Sequence, residues 1–200
     1  LGDELVRWHD FFALDVAANT VTRITKDAAA IAGGRDETTG MVVINYSDPA
    51  TPPSTFLARS EADLGAKGSW VRLTDPNPQV SELALGSAEE ISWKSKDGKT
   101  VGGVLVKPAG YTPGQRYPLI VQIHGGPAGA DVLRFNAGYG SQLYAGVGYA
   151  VLLPNYRGST NYGERHRIET AGVGKYFDRG FEDIMAGVDA LIAQGIAHPD

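Results

Sequence analysis

Pro118-Leu119-Ile120-Val121-Gln122-Ile123 and Tyr149-Ala150-Val151-Leu152-Leu153-Pro154 are two nearly continuous apolar runs. Without polar alternation, they fit strands covered on both faces, as in a parallel sheet. Residues 124–148 between them suffice for a crossover, and a helix is predicted near Ser141–Gly146. Further on, Phe181, Ile184, Met185, Val188, Leu191 and Ile192 share one stripe at helical spacing, which predicts a helix over Phe181–Gly195. This reading places Glu182 and Asp183 in the first turn, where the helix dipole favours negative charge, and Gly195 at the C-terminal cap with Pro199 beyond it. Strand, crossover, strand and helix open a doubly wound α/β sheet.

Upstream of these runs, Glu90–Ser95 alternates polar and apolar residues. Lys96-Asp97-Gly98-Lys99 supplies a tight turn, and Val101–Val106 follows. The pattern predicts a solvent-facing antiparallel hairpin. Residues 70–88 read as a connection, with the turn cluster Thr74-Asp75-Pro76-Asn77-Pro78 inside it, and a domain boundary is expected near residue 80. Before it, strands are predicted at 11–16, 20–25, 41–46 and 54–59, the last after a break at Pro52-Pro53. Four short antiparallel strands fit one propeller blade, and they fit a small β-meander equally well.

Composition excludes several classes. In 200 residues, 42% are hydrophobic and 20% charged, which fits a folded chain and not a disordered one. The net charge is -5, and residues 1–100 carry 15 Asp/Glu against 10 Lys/Arg while the second hundred carries 8 of each. With no basic stripe, a nucleic-acid partner is not expected. No uninterrupted apolar stretch reaches membrane-spanning length, so no membrane segment is expected. There is no cysteine, which removes disulfides, thiolate metal sites and a cysteine nucleophile.

The segment richest in chemistry is Gln122-Ile123-His124-Gly125-Gly126-Pro127. Glycines let a ligand approach the main chain and let N–H groups face a concavity. Two such N–H groups are what the oxyanion of acyl transfer requires. α/β-Hydrolases place one such donor after their third strand in a His-Gly-Gly-Gly type loop. Here Pro127 replaces the third glycine and has no N–H, so the donors fall to Gly125 or Gly126 and to a group elsewhere. A plain strand-to-loop turn is the alternative. His124 is read as orienting this loop, not as an acid or base, and His9, His166 and His198 lack metal-like spacing.

The second segment, Pro154-Asn155-Tyr156-Arg157-Gly158-Ser159-Thr160-Asn161-Tyr162-Gly163, ends the next buried run at the same sheet edge. Arg157 is read as a structural ion-pair partner of Asp183, with binding of a substrate carboxylate as the alternative. Neither Ser141 nor Ser159 lies in Gly-x-Ser-x-Gly, a pattern missing from the sequence, so neither is nominated as a nucleophile. No phosphate-cradling glycine motif occurs, and no cofactor or metal is expected.

The strings YPLIVQIHGGPAG, GYAVLLPNYRGSTNYGE and FEDIMAGVDALIAQG, in that order, resemble the catalytic domain of the prolyl oligopeptidase family of serine peptidases. The His-Gly-Gly-Pro form resembles its acylaminoacyl-peptidase and dipeptidyl-peptidase-like members. LTDPNPQVSELALGSAEEISWKSKDGKTVGGVLVKP resembles the stretch where a β-propeller passes into the hydrolase. The resemblance implies the N-terminal half of an α/β-hydrolase domain (81–200) preceded by the last part of a β-propeller (1–80). It implies a serine-type peptidase that cleaves short peptides through an acyl-enzyme, with an esterase or a non-catalytic relative as alternatives. The family's Ser, Asp and His triad is expected beyond Asp200, so residues 1–200 alone are expected to be inactive. Only the oxyanion loop carries over, at His124, Gly125 and Gly126, with the Gly126 N–H as donor. His124 stands where some relatives place a tyrosine hydroxyl for that purpose.

Overall fold

A computed structural model describes residues 9–126, 128–136, 140–170 and 176–200, with side-chain surroundings from Asp178 onward in the last stretch. Pro127 lies outside the described residues. The chain divides into two compact units. One runs to Leu83 and includes Leu133–Phe135; the other holds Ala84–Val132 and Asn136–Asp200.

The first unit is antiparallel β structure. Strands β1 (Phe12–Asp15) and β2 (Thr20–Arg23) form a separate hairpin, with Phe12 opposite Arg23 and Asp15 opposite Thr20. A four-stranded sheet follows in the order β3 (Ala30–Arg35), β4 (Val42–Asp48), β5 (Thr51–Ala58) and β6 (Val71–Arg72). All four predicted strands form, but the first two pair only with each other, and the four-stranded sheet takes β3 and β6 instead. Ala30-Ile31-Ala32-Gly33-Gly34-Arg35 lacks a β-rich composition, and pairing with β4 makes it a strand. Pro52 and Pro53 do not break β5 either: they sit where the β4–β5 register shifts, so the missing N–H groups fall at an irregularity. Alternation in β4 turns Val42, Ile44 and Tyr46 inward. They pack with Ile31, Ala58, Leu64 and Trp70, and Tyr46, Phe56 and Trp70 meet edge to face at centroid distances of 5.9–6.0 Å.

The second unit is α/β. Its sheet has the order β7 (Ala88–Lys94), β8 (Thr100–Val106), β10 (Ala150–Asn155), β9 (Leu119–Val121). β8 runs antiparallel to both β7 and β10, while β9 and β10 are parallel. Helix α1 (Ser141–Gly146) lies in the β9–β10 crossover and packs on β8 and β10. Helix α2 (Glu164–Ile168) follows β10, and helix α3 (Tyr176–Ala193) packs on β7 and β10. No helix among the described residues is long and apolar enough to cross a membrane.

Three expectations are corrected here. Only the β7 half of the hairpin faces solvent: Val101 through Val106 of β8 are buried, because β8 lies inside the sheet between β7 and β10 with α1 packed on it, whereas β7 keeps exposed positions. β10 is buried throughout, but β9 spans only three half-buried residues at the sheet edge, so that run is not covered on both faces. Helix α3 begins five residues before Phe181, which puts Asp183 in its second turn, fully buried. Glu182 also lies beyond the first turn, whose acidic residue is Asp178, so the dipole argument applies to neither Glu182 nor Asp183.

The buried stripe of α3 is Gly180, Asp183, Gly187 and Leu191, whereas Phe181 and Met185 are 64% and 39% exposed. Small residues face inward because the helix lies directly on Trp93. The indole Nε1–H donates to the Asp183 carbonyl at 2.7 Å, and a Cβ at Gly187 would stand 2.8 Å from the indole ring. Gly187→Ala is therefore expected to destabilise the full-length protein by about 1–3 kcal/mol through overpacking. Intrinsic propensity alone would favour alanine by about 1 kcal/mol. Urea unfolding gives the sign, and a stabilised variant would refute the close-packing account.

Candidate functional site

After β9, Gln122 keeps one ladder bond, its N–H donating to Leu152 O at 2.9 Å, and the chain then leaves the sheet. His124 follows, half-buried, with Gly125 and Gly126 exposed beyond it. The His124 ring contacts Gly125 O through Nδ1 at 3.1 Å and Ser159 Oγ through Nε2 at 2.9 Å. A carbonyl oxygen only accepts, so Nδ1 carries the proton, and in the neutral ring Nε2 accepts from the Ser159 hydroxyl. Tyr156 stacks on the imidazole with centroids 4.9 Å apart and planes 15° from parallel.

The segment after β10 grips this loop at further points. Tyr156 Oη–H donates to His124 O at 3.0 Å, and the Thr160 N–H donates to Gly129 O at 3.0 Å. The Asn155 amide accepts from the Asp131 N–H at 2.7 Å and donates to Asp131 O at 2.8 Å, replacing a strand rung with a side chain. Gly126 has φ +130, a conformation that side-chain-bearing residues rarely adopt, and a Cβ there would lie 3.1 Å from Gly129 N. Among the described residues, neither the Gly125 nor the Gly126 N–H donates a hydrogen bond. Both glycines follow the carboxyl end of β9.

Behind the second segment lies Arg157, 1% exposed, against a fully buried Asp183. Arg157 Nη2 donates to Asp183 Oδ1 at 2.6 Å, and Nε and the main-chain N–H each donate to Oδ2 at 2.9 Å. Nη1 donates to Asp97 and Nη2 also to Ser95 Oγ at 3.3 Å. The hydrogen bonds to Asp183, against the opposing effect of burial, hold the guanidinium above the ordinary arginine range. At Asp97, burial pushes the carboxyl up, but the bond from Arg157 and the Lys99 N–H outweigh it and lower its pKa. With its donors engaged by Asp183, Asp97 and Ser95, Arg157 anchors the loop in the fold. In the sequence Ser95 ends the alternating run and Asp97 sits in the turn, and no local signal links either to Arg157.

A pocket of about 240 Å³ is lined by Lys99, Thr100, Arg157, Tyr162, Arg165, His166 and Glu169. Its charges are mutually satisfied: Lys99 Nζ and Arg165 Nε both donate to Glu169. His166 Nε2–H points at the carbonyls of Asn155 and Tyr156, 3.2 and 3.1 Å away. Burial, opposed by these two bonds, holds its pKa below the ordinary 6.5. As pH falls through that value the unfolded chain takes the proton first, so this contribution to stability is whole above about 6.5 and lost below it. His166→Gln should flatten the fall of the thermal midpoint as pH drops below about 6.5. An unchanged slope would show that His166 does not titrate in this way. Among the described residues no cluster of His, Asp or Glu has metal-binding geometry.

The chain thus holds an α/β unit with a glycine-rich loop beyond the end of β9, and an antiparallel β unit. Residues 135–200 match the model of the Prolyl oligopeptidase family. The chain is 36% identical over 124 residues to the uncharacterized peptidase YuxL of Bacillus subtilis, covering 60% of this chain and 18% of that protein. It is 28% identical over 212 aligned positions to the acylamino-acid-releasing enzyme of Sus scrofa, covering 92% of this chain and 26% of the relative. The solved structure of an acylaminoacyl peptidase in complex with Z-Gly-Gly-Phe-chloromethyl ketone superposes with a TM-score of 0.74 at 25% identity, over 96% of this chain and 29% of that one. The chain resembles the prolyl oligopeptidase family over the residues that its model matches. It spans less than a third of the length of each of these three proteins.

Proposed function

We propose that this chain supplies the oxyanion loop and its scaffold to a serine-type peptidase that hydrolyses short peptides through an acyl-enzyme. In this reading residues 1–80 are the C-terminal blade of a β-propeller, and 81–200 are the N-terminal part of an α/β-hydrolase catalytic domain. The attacking serine with its His and Asp comes from chain outside residues 1–200. The carrying observation is that Gly125 and Gly126 are exposed and that, among the described residues, neither N–H donates a hydrogen bond, on a loop clamped from behind. As the carbonyl carbon becomes tetrahedral its oxygen gains negative charge, and a donor already fixed in place stabilises that charge without reorganising. The Gly126 N–H is the assigned donor, and His124 holds the loop without exchanging protons with substrate. The match of residues 135–200 to the family model and the likeness to acylaminoacyl and dipeptidyl peptidases support the peptide substrate class.

The test uses the full-length protein. A fluorophosphonate probe is expected to label one serine outside residues 1–200 and to abolish cleavage of N-acetylated or dipeptidyl p-nitroanilides. A folded full-length protein that takes up no probe and cleaves no peptide would overturn the reading. Preference for simple esters over every peptide tried would replace the peptidase with an esterase.

A further inference from the structure

We infer that Tyr156 and Ser159 are positioning residues that set the direction of the Gly125 and Gly126 amides, Ser159 acting through His124. The inference rests on the oxyanion reading above.

A trans peptide is planar, so its C=O and N–H point in opposite directions and fixing one end fixes the other. The N–H of Gly126 shares a peptide plane with the carbonyl of Gly125, and that carbonyl accepts from His124 Nδ1–H at 3.1 Å. The N–H of Gly125 shares a plane with the carbonyl of His124, which accepts from the Tyr156 hydroxyl at 3.0 Å. Both candidate oxyanion donors are thus aimed by a hydrogen bond to the far end of their own peptide. Glycine makes such aiming necessary, because the Gly125–Gly126 peptide lies between two residues without Cβ and the His124–Gly125 peptide is flanked by one, so both rotate at reduced steric cost.

Ser159 controls the first of these bonds. Its buried hydroxyl lies 2.9 Å from His124 Nε2, and by donating there it keeps the ring proton on Nδ1. The opposite tautomer would turn an Nδ1 lone pair toward Gly125 O, and the peptide would lose its anchor. The stacked Tyr156 ring fixes the imidazole plane. Arg157, between the two, ties the whole segment to Asp183. Ser159 therefore has a defined task although it lies in no nucleophile motif.

Ser159→Ala and Tyr156→Phe each remove one hydroxyl. In the full-length protein each is expected to lower kcat for a capped peptide p-nitroanilide about tenfold, with KM within about twofold of wild type, a modest share of the loss that follows deletion of a whole donor. Affinity for a peptide aldehyde, whose adduct with the serine carries the oxyanion, should fall by the same factor as kcat. A lowered unfolding midpoint with kcat and aldehyde affinity unchanged would make both residues merely structural and would overturn the inference. If Ser159→Ala fails to fold, Tyr156→Phe alone decides the matter, since it keeps the stacked ring. Wild-type protein that neither labels nor cleaves peptides defeats the peptidase reading, and this inference falls with it. Wild type that labels and turns over beside variants that keep full kcat defeats this inference alone.

Discussion

Gly126→Ala in the full-length protein is expected to lower kcat for peptide hydrolysis by about 10²-fold, the scale set by loss of one oxyanion donor. The alanine keeps the N–H but cannot easily keep its place. At φ +130 an L side chain is strained, and its Cβ would press on Gly129 N at 3.1 Å and Ala128 N at 3.3 Å. Both contacts are to main chain, which cannot swing aside as a side-chain tip would. The peptide must turn, and the amide turns with it. At Gly125 a Cβ meets nothing within 4 Å and φ is not positive, so Gly125→Ala should cost less. The ratio of the two rates is thus the useful measurement, taken with the rate of fluorophosphonate labelling. Equal kcat for Gly126→Ala and wild type would remove Gly126 from the site.

Asp183→Ala is expected to cost about 3–5 kcal/mol of stability, because it leaves a buried guanidinium without its main counter-charge. Arg157 would keep Ser95 and Asp97, but the Asp97 side chain is 44% exposed and its contribution is weakened by solvent. The main-chain N–H of Arg157 would lose its acceptor as well. Replacing both partners with leucine should recover much of the loss, since a buried pair is often matched by apolar groups of similar size. Chemical denaturation of wild type, both single variants and the double variant separates the cost of an orphaned charge from the worth of the pair. A single variant within about 1 kcal/mol of wild type would contradict the burial argument.

Much of the second unit is legible because its signals are local. The run through Val151, Leu152 and Leu153 has no polar alternation, and β10 is buried throughout. Helix α3 is legible in kind but not in orientation. The apolar stripe points to Phe181 and Met185 as core, yet both are exposed, and Gly180, Asp183 and Gly187 face the sheet. Hydropathy registers the transfer of side chains from water; it is blind to a helix brought so near an indole that only glycine fits. The first unit shows the same divide: Ala30–Arg35 has no strand-like composition, and it is a strand only because β4 pairs with it.

Residues alone marked His124, Gly125 and Gly126 as candidates, since paired glycines at the end of an apolar run permit exposed amides. They also marked Arg157 and Asp183 as a structural ion pair, and the strings around them carry the family resemblance. What holds the loop was not legible. Ser159 lies 35 residues from His124 and Asp97 lies 60 from Arg157, and no local rule joins such positions. Hydrogen-bond direction, tautomer and the plane of a peptide are fixed by neighbours brought together only when β9 and β10 pair side by side. The sequence by itself determined which residue types were at hand; the tertiary structure decided which way the amides point, because orientation is a property of contacts between segments distant along the chain.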